Sequence, residues 1–153
     1  MKKILFVILP SYTDVYKDSK IAVVVPKLPL LSIGILLKIA QNNGCAVDLL
    51  DLSISADYKK DLKQKIILFE PDIIAFGFTT TLYDEAKDIA FSIKKNFTYI
   101  KIICGGVHPS IFPEEILNNF LVDVVFINES EKSISDYLKD KPLEQIKGIA
   151  FKK

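Results

Sequence analysis

Four short segments of the chain are apolar at almost every position and lack the alternation of a half-exposed strand. They span residues 4–9, 72–78, 100–104 and 122–127, and residues 46–50 form a weaker fifth segment. Continuous apolar runs of this length, rich in Ile and Val, are typical of strands that are buried on both faces of a parallel sheet. The pattern therefore predicts five central strands that are covered by helices.

Helical patterns fill the intervals between these strands, because apolar residues recur there three and four positions apart. The predicted helices are residues 30–43, 58–69, 82–96, a short one from Pro113, and 130–138. A strand–helix order repeated five times, with right-handed crossovers, predicts an α/β fold. It would be a flavodoxin-like (Rossmann-like), doubly wound parallel sheet in the order 2-1-3-4-5, with helices on both faces. Residues 149–151 are apolar enough for a short extra strand.

Composition excludes several classes of function. The 153 residues suit a single domain, and a formal net charge of +1 with no basic stripe argues against a nucleic-acid partner. The chain has no Arg, which excludes bidentate Arg clamps on carboxylate or phosphate. No apolar run approaches the roughly 20 residues of a membrane span, and the run before Pro10 is too short for a signal peptide. We expect a cytoplasmic protein.

The two cysteines, Cys45 and Cys104, are far apart in the sequence and lack the spacing of metal ligands. We expect two buried free thiols, with one structural disulfide as the alternative.

In doubly wound sheets, ligands bind at the carboxyl ends of the strands. The loops at this edge begin at Pro10 and Ser11 after the first strand, and at Thr79, Thr80 and Thr81 after the third. After the fourth strand comes the segment 105–109, and after the fifth comes 128–131. The first connection, residues 11–29, is unusually long. Its apolar residues 21–25 would cover a ligand, dock on a neighbouring domain or pack on their own sheet.

Two of these loops have chemistry that suits a large ligand. Gly105 and Gly106 lack side chains, so a bulky ligand can approach the backbone there. The three threonines bring hydroxyls to the start of a helix whose first N–H groups are free. Together they suit a ligand with an amide-rich rim and a nucleotide tail. Simpler alternatives stay open: Thr81 would cap the helix, and Gly105–Gly106 would form a turn.

Other ligands of this fold find weaker support. A dinucleotide site needs G-x-G-x-x-G after the first strand, and no glycine precedes Gly34. Asp51, at the end of the second strand, is therefore interpreted as a turn residue and not as a ribose ligand. The acids of a phosphorylated receiver domain are missing. Residues 11–14 resemble a flavodoxin phosphate loop only faintly, because Asp14 would repel phosphate.

The motifs at this edge, taken in order, resemble those of one family. Residues 28–34 resemble its proline-led first helix, 71–80 its "kPDvvgiS-TT" segment, 105–115 its "GG-HP…PEE" stretch, 122–131 its "vDivv-GEGE" segment and 146–150 its "I-Gia" close. The chain thus resembles the B12-binding domain of cobalamin-dependent radical-SAM proteins. That family includes anaerobic magnesium-protoporphyrin monomethyl ester cyclases and many methyltransferases.

The resemblance implies a cobalamin cofactor that is bound with its own base displaced. The D-x-H-x-x-G motif whose His ligates cobalt in other B12 enzymes is absent, so no His or other metal ligand is expected from this domain. The implied cofactor contacts are Pro10, Ser11, Thr79, Thr80, Thr81, Gly105, Gly106, His108 and Glu129. His108 has the alternative role of stabilising its loop. The family's GEGE reads Asn128–Glu131 here, so both glycines of that motif are replaced, which slightly favours a domain that has lost the cofactor.

The resemblance also implies a partner. No C-x-x-x-C-x-x-C motif is present, so the iron–sulfur cluster and S-adenosylmethionine would belong to a downstream radical-SAM domain of the same parent chain. Residues 1–153 are then expected to be an N-terminal cobalamin-binding domain that presents its cofactor for methyl transfer or radical cyclisation and does not itself catalyse a reaction. A natural stand-alone domain is the alternative to a fragment. Alternatives for function are an interaction or substrate-docking domain that has lost the cofactor, and a flavin- or nucleotide-binding protein.

Overall fold

The continuous apolar segments form the central strands of the computed structural model, which describes residues 1–10 and 31–152. The elements in chain order are β1 (Lys3–Ile8), α1 (Leu31–Asn42), β2 (Ala46–Asp51), α2 (Tyr58–Phe69), β3 (Ile73–Gly77), α3 (Tyr83–Asn96), β4 (Lys101–Gly105), α4 (Val107–Ile111), α5 (Pro113–Asn119), β5 (Val124–Phe126), α6 (Glu131–Leu138) and β6 (Ile149–Phe151). Ser11, the predicted helix start at Leu30 and the apolar residues 21–25 lie outside the described residues.

The strands form one sheet in the order β2-β1-β3-β4-β5-β6. Strands β1 to β5 are parallel to their neighbours, which confirms the predicted order 2-1-3-4-5. The sixth strand runs antiparallel to β5, with Val125 opposite Ala150. The short extra strand suggested by residues 149–151 therefore extends the predicted five-stranded sheet at one edge.

Each face of the sheet is buried under its own set of helices. Leu5, Val7 and Ile74 point to the face that α2, α3 and α5 cover. The alternate residues Phe6 and Ala75 point to the face that α1 and α6 cover. Because successive side chains of a strand point to opposite faces, burial on both sides explains why the strands read as continuous apolar runs.

The structure differs from the sequence prediction after β4. Residues 107–111 form the short helix α4, where the sequence predicted a loop. Pro109 is the third residue of this helix, and the first N–H groups of a helix have no partner within it. The missing N–H of Pro109 therefore costs no helical hydrogen bond.

Two further observations concern the described part of the chain. Cys45 and Cys104 are both free and buried, as expected. None of the helices in that part is long and apolar enough to cross a membrane.

Candidate cofactor-binding site

A cavity of about 540 Å³ opens at the carboxyl edge of the sheet. It lies on the face that α1 and α6 cover, above the ends of β1, β3, β4 and β5. Side chains of α1 and α6 form two of its walls, and the loops after β3, β4 and β5 surround its mouth. The cavity is therefore at the edge where the fold predicts a ligand.

Small residues form the floor of the cavity. Ala75 and Gly77 lie two positions apart on β3, and Gly105 pairs with Gly77 across the ladder to β4. A Cβ atom on Gly77 would lie 3.4 Å from the Gly105 carbonyl oxygen, and one on Gly105 would lie 3.4 Å from that of Phe126. Larger side chains at these positions would reduce the space that a ligand can occupy.

The inner end of the cavity is apolar. Phe6 of β1 and Phe126 of β5 lie on the sheet side, and Ile33, Leu36 and Ile134 reach it from the helices. The backbone N–H and C=O groups of the central strands are used in the parallel ladders. This end of the cavity therefore suits an apolar or aromatic group, because a polar group would lose its hydrogen bonds with water there.

The mouth of the cavity is polar and carries negative charge. Thr79, Ser130 and the carboxyl groups of Glu129 and Glu131 line it. No Lys or His side chain lines the cavity within residues 1–10 and 31–152. The mouth therefore offers hydroxyl donors and carboxylate acceptors, which suits amides better than a phosphate dianion.

The structure brings together four of the residues that the sequence predicted for the site. Thr79, Gly105, Gly106 and Glu129 line the cavity. The remaining described candidates, Pro10, Thr80, Thr81 and His108, are not among the lining residues, and Ser11 lies outside the described residues.

The backbone of the fold itself requires a glycine at position 106. Its φ is +99°, and a Cβ atom there would lie 2.8 Å from both the backbone nitrogen and the oxygen of Phe78. L-residues rarely adopt this conformation, and the two backbone atoms cannot move away cheaply. Ligand access, which the sequence suggested as the reason for both glycines, is therefore not needed to explain Gly106.

Thr81 does not cap α3, so that alternative is wrong. The N-cap of α3 is Leu82, which makes no side-chain capping bond. A 3₁₀ turn at Thr80–Leu82 precedes the helix and shifts its start by one residue. The Thr81 hydroxyl instead lies 2.7 Å from the Thr79 hydroxyl at the cavity mouth.

His108 is not among the residues that line the cavity, and its ring lies in an aromatic box formed by Phe78, Tyr83 and Phe112. Its side chain is 4% exposed, and its ring contacts those of Phe78, Tyr83 and Phe112 with centroids 5.1–5.7 Å apart. The Nδ1 atom lies 3.0 Å from the Thr80 hydroxyl. Nε2 is buried without a hydrogen-bond partner among the described residues. This geometry fits the role of stabilising its loop.

The segment that departs from the family pattern keeps a backbone that glycine would favour. Asn128 has a φ of +58°, a left-handed conformation that Asn tolerates better than most residues. Ser130 has a negative φ and is the N-cap of α6, so that position does not require glycine. Asn128 thus substitutes for the first glycine, and Glu129 still lines the cavity.

The described residues form no cluster of metal ligands at the cavity. The Cys104 side chain packs on the opposite face of the sheet, under α2, α3 and α5, where burial raises the pKa of its thiol far above its usual range. Across residues 1–10 and 31–152, no group of three or more His, Cys, Asp and Glu side chains could hold a metal ion.

Sequence reasoning missed the helical walls and the inner end. Ser32, Ile33, Leu36 and Ile134 occupy helix positions that look like ordinary core or surface, and Phe6 looks like any buried strand residue. One signal was present in Gly77, because a glycine inside a strand often marks a close approach of a ligand or another backbone.

Residues 20–138 match the model of a family described as the B12 binding domain. No curated protein sequence matches the chain well enough to count as a relative.

Solved structures resemble the fold at low sequence identity. The radical S-adenosylmethionine methyltransferase TsrM from Kitasatospora setae superimposes with a TM-score of 0.79 at 16% identity, over 100% of this chain and 29% of its own. The cobalamin-dependent S-adenosylmethionine radical enzyme OxsB, with aqua-cobalamin bound, gives 0.73 at 21% identity, over 99% and 21%. The response regulator RcsB from Salmonella typhimurium gives 0.56 at 11% identity, over 93% and 62%. The chain therefore spans less than a third of the first two proteins.

Proposed function

This chain belongs to the B12-binding domain family, and from that premise we propose that it holds cobalamin at the carboxyl edge of its sheet. The observation that carries the proposal is the cavity of about 540 Å³ with its floor of Ala75, Gly77 and Gly105. Ligand cavities of a few hundred Å³ accept a drug-sized group, whereas a whole corrinoid is larger. One part of the cofactor would enter the cavity, and the rest would lie over its mouth.

The chemistry of the cavity matches the two ends of cobalamin. The dimethylbenzimidazole base is the flat apolar group of the cofactor, and Phe6, Leu36 and Ile134 at the inner end would hold it. Thr79 and Glu129 at the mouth would hydrogen-bond the amide side chains of the corrin. The base would then be displaced from cobalt.

None of the described residues would take the place of the displaced base at cobalt. His108 is enclosed by aromatic rings and lies outside the cavity lining. The Cys104 thiol packs on the face of the sheet opposite the cavity, and burial there raises the pKa of this thiol. When bound, cobalamin would supply a methyl carrier or a cobalt centre that supports radical chemistry, and this chain would orient it.

We further propose that residues 1–153 are the first domain of a cytoplasmic radical-SAM enzyme. Support comes from TsrM and OxsB, whose names give that chemistry and of which this chain spans 29% and 21%. The iron–sulfur cluster and S-adenosylmethionine would then bind to the rest of the parent chain. Methyl transfer and radical cyclisation, including a cyclase of the magnesium-protoporphyrin ester type, are the proposed reactions of the parent protein.

The cavity favours cobalamin over the two alternatives. A flavin mononucleotide carries a phosphate dianion, and Glu129 and Glu131 at the mouth would repel it. The alternative that the chain has lost the cofactor was slightly favoured by the missing glycines of the segment 128–131. Because Asn128 keeps a left-handed backbone there, that reason is removed.

Binding is tested by titrating the chain with hydroxocobalamin, desalting it and recording the visible spectrum. We expect a retained corrinoid with the spectrum of a base-off form. Cobinamide, which lacks the nucleotide tail, should bind at least 10-fold more weakly, because it leaves the apolar inner end empty.

The matched variants are Gly105→Leu and Thr98→Leu. The first fills the floor of the cavity and should abolish retention of the cofactor. The second adds the same side chain in an exposed turn before β4, at the opposite edge of the sheet, and should bind like the wild type. A colourless wild-type protein after desalting, or equal binding by Gly105→Leu, would contradict the proposal.

A further inference from the structure

One serine hydroxyl connects two loops at the mouth of the cavity. The Ser110 hydroxyl donates to the Gly106 carbonyl oxygen at 2.7 Å, and it accepts from the Asn128 amide at 2.8 Å. Gly106 and Asn128 both line the cavity, one after β4 and the other after β5. From this geometry we propose that Ser110 is a positioning residue that sets the affinity of the cavity for its cofactor, an inference that rests on the proposed function.

The sheet itself does not hold these two loops together. Strands β4 and β5 pair through Ile103 with Val124 and Cys104 with Val125, and their ladder ends there. Beyond that point, the Ser110 hydroxyl bridges the loops within the described part of the chain. It therefore extends the connection between the two strands from the sheet to the cavity mouth.

One of the two residues that Ser110 contacts has a backbone that needs support. Gly106 and Asn128 have φ values of +99° and +58°, and such a conformation is costly for Asn, which carries a side chain. On the side away from Ser110, the preceding amide of Ile127 is bonded to the Gly148 carbonyl oxygen. Hydrogen bonds of the Ile127 and Asn128 amides thus hold the start of the loop after β5. Glu129 follows directly after Asn128.

Loss of the hydroxyl would release one side of this arrangement. The Asn128 amide would turn to water, and the loop would sample conformations in which Glu129 is displaced from the cavity. A single hydrogen bond of this kind corresponds to about a 3- to 10-fold change in an equilibrium constant. The cofactor would then bind more weakly although every lining side chain is still present.

The experiment compares Ser110→Ala with Ser110→Thr, which keeps the hydroxyl, and with Ser92→Ala on α3, away from the cavity. The first readout is amide hydrogen exchange at Asn128 in the cofactor-free chain, and the second is the Kd for hydroxocobalamin. For Ser110→Ala we expect exchange about 10-fold faster and a Kd about 3- to 10-fold higher. Ser110→Thr should restore both, and Ser92→Ala should change neither.

The unfolding midpoint separates positioning from a general structural role. Ser110→Ala should lower it no more than Ser92→Ala does, since a merely structural serine would change stability and leave the Kd as it was. Unchanged exchange at Asn128, or a Kd within 2-fold of the wild type, overturns the proposal. If the wild type does not bind hydroxocobalamin at all, the proposed function fails with it, and the exchange rates still report whether the bridge exists.

Discussion

Two glycines of this chain respond to the same substitution in opposite ways. Gly106 has a φ of +99° and would place a Cβ atom 2.8 Å from the Phe78 backbone, whereas Gly34 lies in α1 with nothing within 4 Å of that position. Gly106→Ala should lower the free energy of unfolding by about 3 kcal/mol or more. Gly34→Ala should raise it by up to about 1 kcal/mol, because alanine favours a helix. Urea denaturation measures both, and a Gly106→Ala variant as stable as the wild type would contradict the close approach of Gly106 to Phe78.

His108 offers a second test at the scale of a single residue. Its ring fills an aromatic box, but Nε2 has no hydrogen-bond partner among the described residues. His108→Phe keeps the ring and removes that buried nitrogen, whose desolvation costs about 1–3 kcal/mol. It also removes the bond to the Thr80 hydroxyl, which can turn to water.

We therefore expect His108→Phe to change the free energy of unfolding by less than about 1 kcal/mol. His108→Ala should lower it by about 3 kcal/mol, because it leaves a cavity among Phe78, Tyr83 and Phe112. The measurement is urea denaturation at pH 8. A phenylalanine variant as unstable as the alanine variant would show that the imidazole nitrogens, and not the ring, stabilise this loop.

At the scale of elements, one carboxylate joins α3, β4 and the start of β5. Asp123 accepts hydrogen bonds from the Ile102 amide at 2.8 Å, from Lys94 Nζ at 2.8 Å and from Lys101 Nζ at 3.1 Å. Burial alone would raise the pKa of Asp123, but these three donors outweigh it and lower the pKa. A lowered pKa in the folded state stabilises the protein above the unfolded value of ~3.9. That contribution is lost as the pH falls through the folded value.

Asp123→Asn should therefore lower the free energy of unfolding by about 2 kcal/mol at pH 7. The difference from the wild type should shrink as the pH falls below about 4, where Asp123 of the unfolded chain becomes protonated, and should vanish once the folded carboxyl is protonated too. Denaturation curves from pH 3 to pH 8 measure this, with Asp88→Asn on α3 as the control. A difference that does not depend on pH would mean that the charge of Asp123 contributes nothing to stability.

The sequence predicted the elements where one physical rule dominates. Segments 4–9 and 73–78 are apolar throughout because both faces of the sheet are covered, and that pattern alone predicts buried parallel strands. The helix α4 was missed because Gly106 and Pro109 both suggest a loop. The fold accommodates Gly106 at the turn before α4 and Pro109 in the first turn of that helix. The alternative capping role of Thr81 was wrong because a 3₁₀ turn of three residues shifts the helix start, and no local pattern marks that shift.

At the scale of the whole molecule, the cavity lies where α1 and α6 meet the carboxyl edge of the sheet. The loops at the carboxyl edge could be predicted from the strand order, and four of their residues line the cavity. Its inner end could not, because Ile33 and Ile134 look like core residues until the two helices are placed. Only packing in three dimensions shows that Ala75, Gly77 and Gly105 lie under a space instead of under a side chain.

A ligand that binds this space should stabilise the entire chain, since it binds the folded state alone. Hydroxocobalamin at about 100 times its Kd should raise the free energy of unfolding by about 2.7 kcal/mol. Gly105→Leu should show no such increase, although its own stability without the cofactor should stay close to that of the wild type. Thermal unfolding with and without the cofactor measures the effect. An equal increase for both proteins would place the binding elsewhere on the molecule.

The antiparallel strand β6 affects how readily copies of this chain aggregate. Val124–Phe126 forms one of the shortest strands of the sheet, and Ile149–Phe151 occupies its outer edge. Without residues 149–151, that edge would present free N–H and C=O groups beside an apolar strand, a template on which another chain can add. A fragment cut before residue 149 would thus be prone to aggregate, although every residue of the cavity lining would still be present.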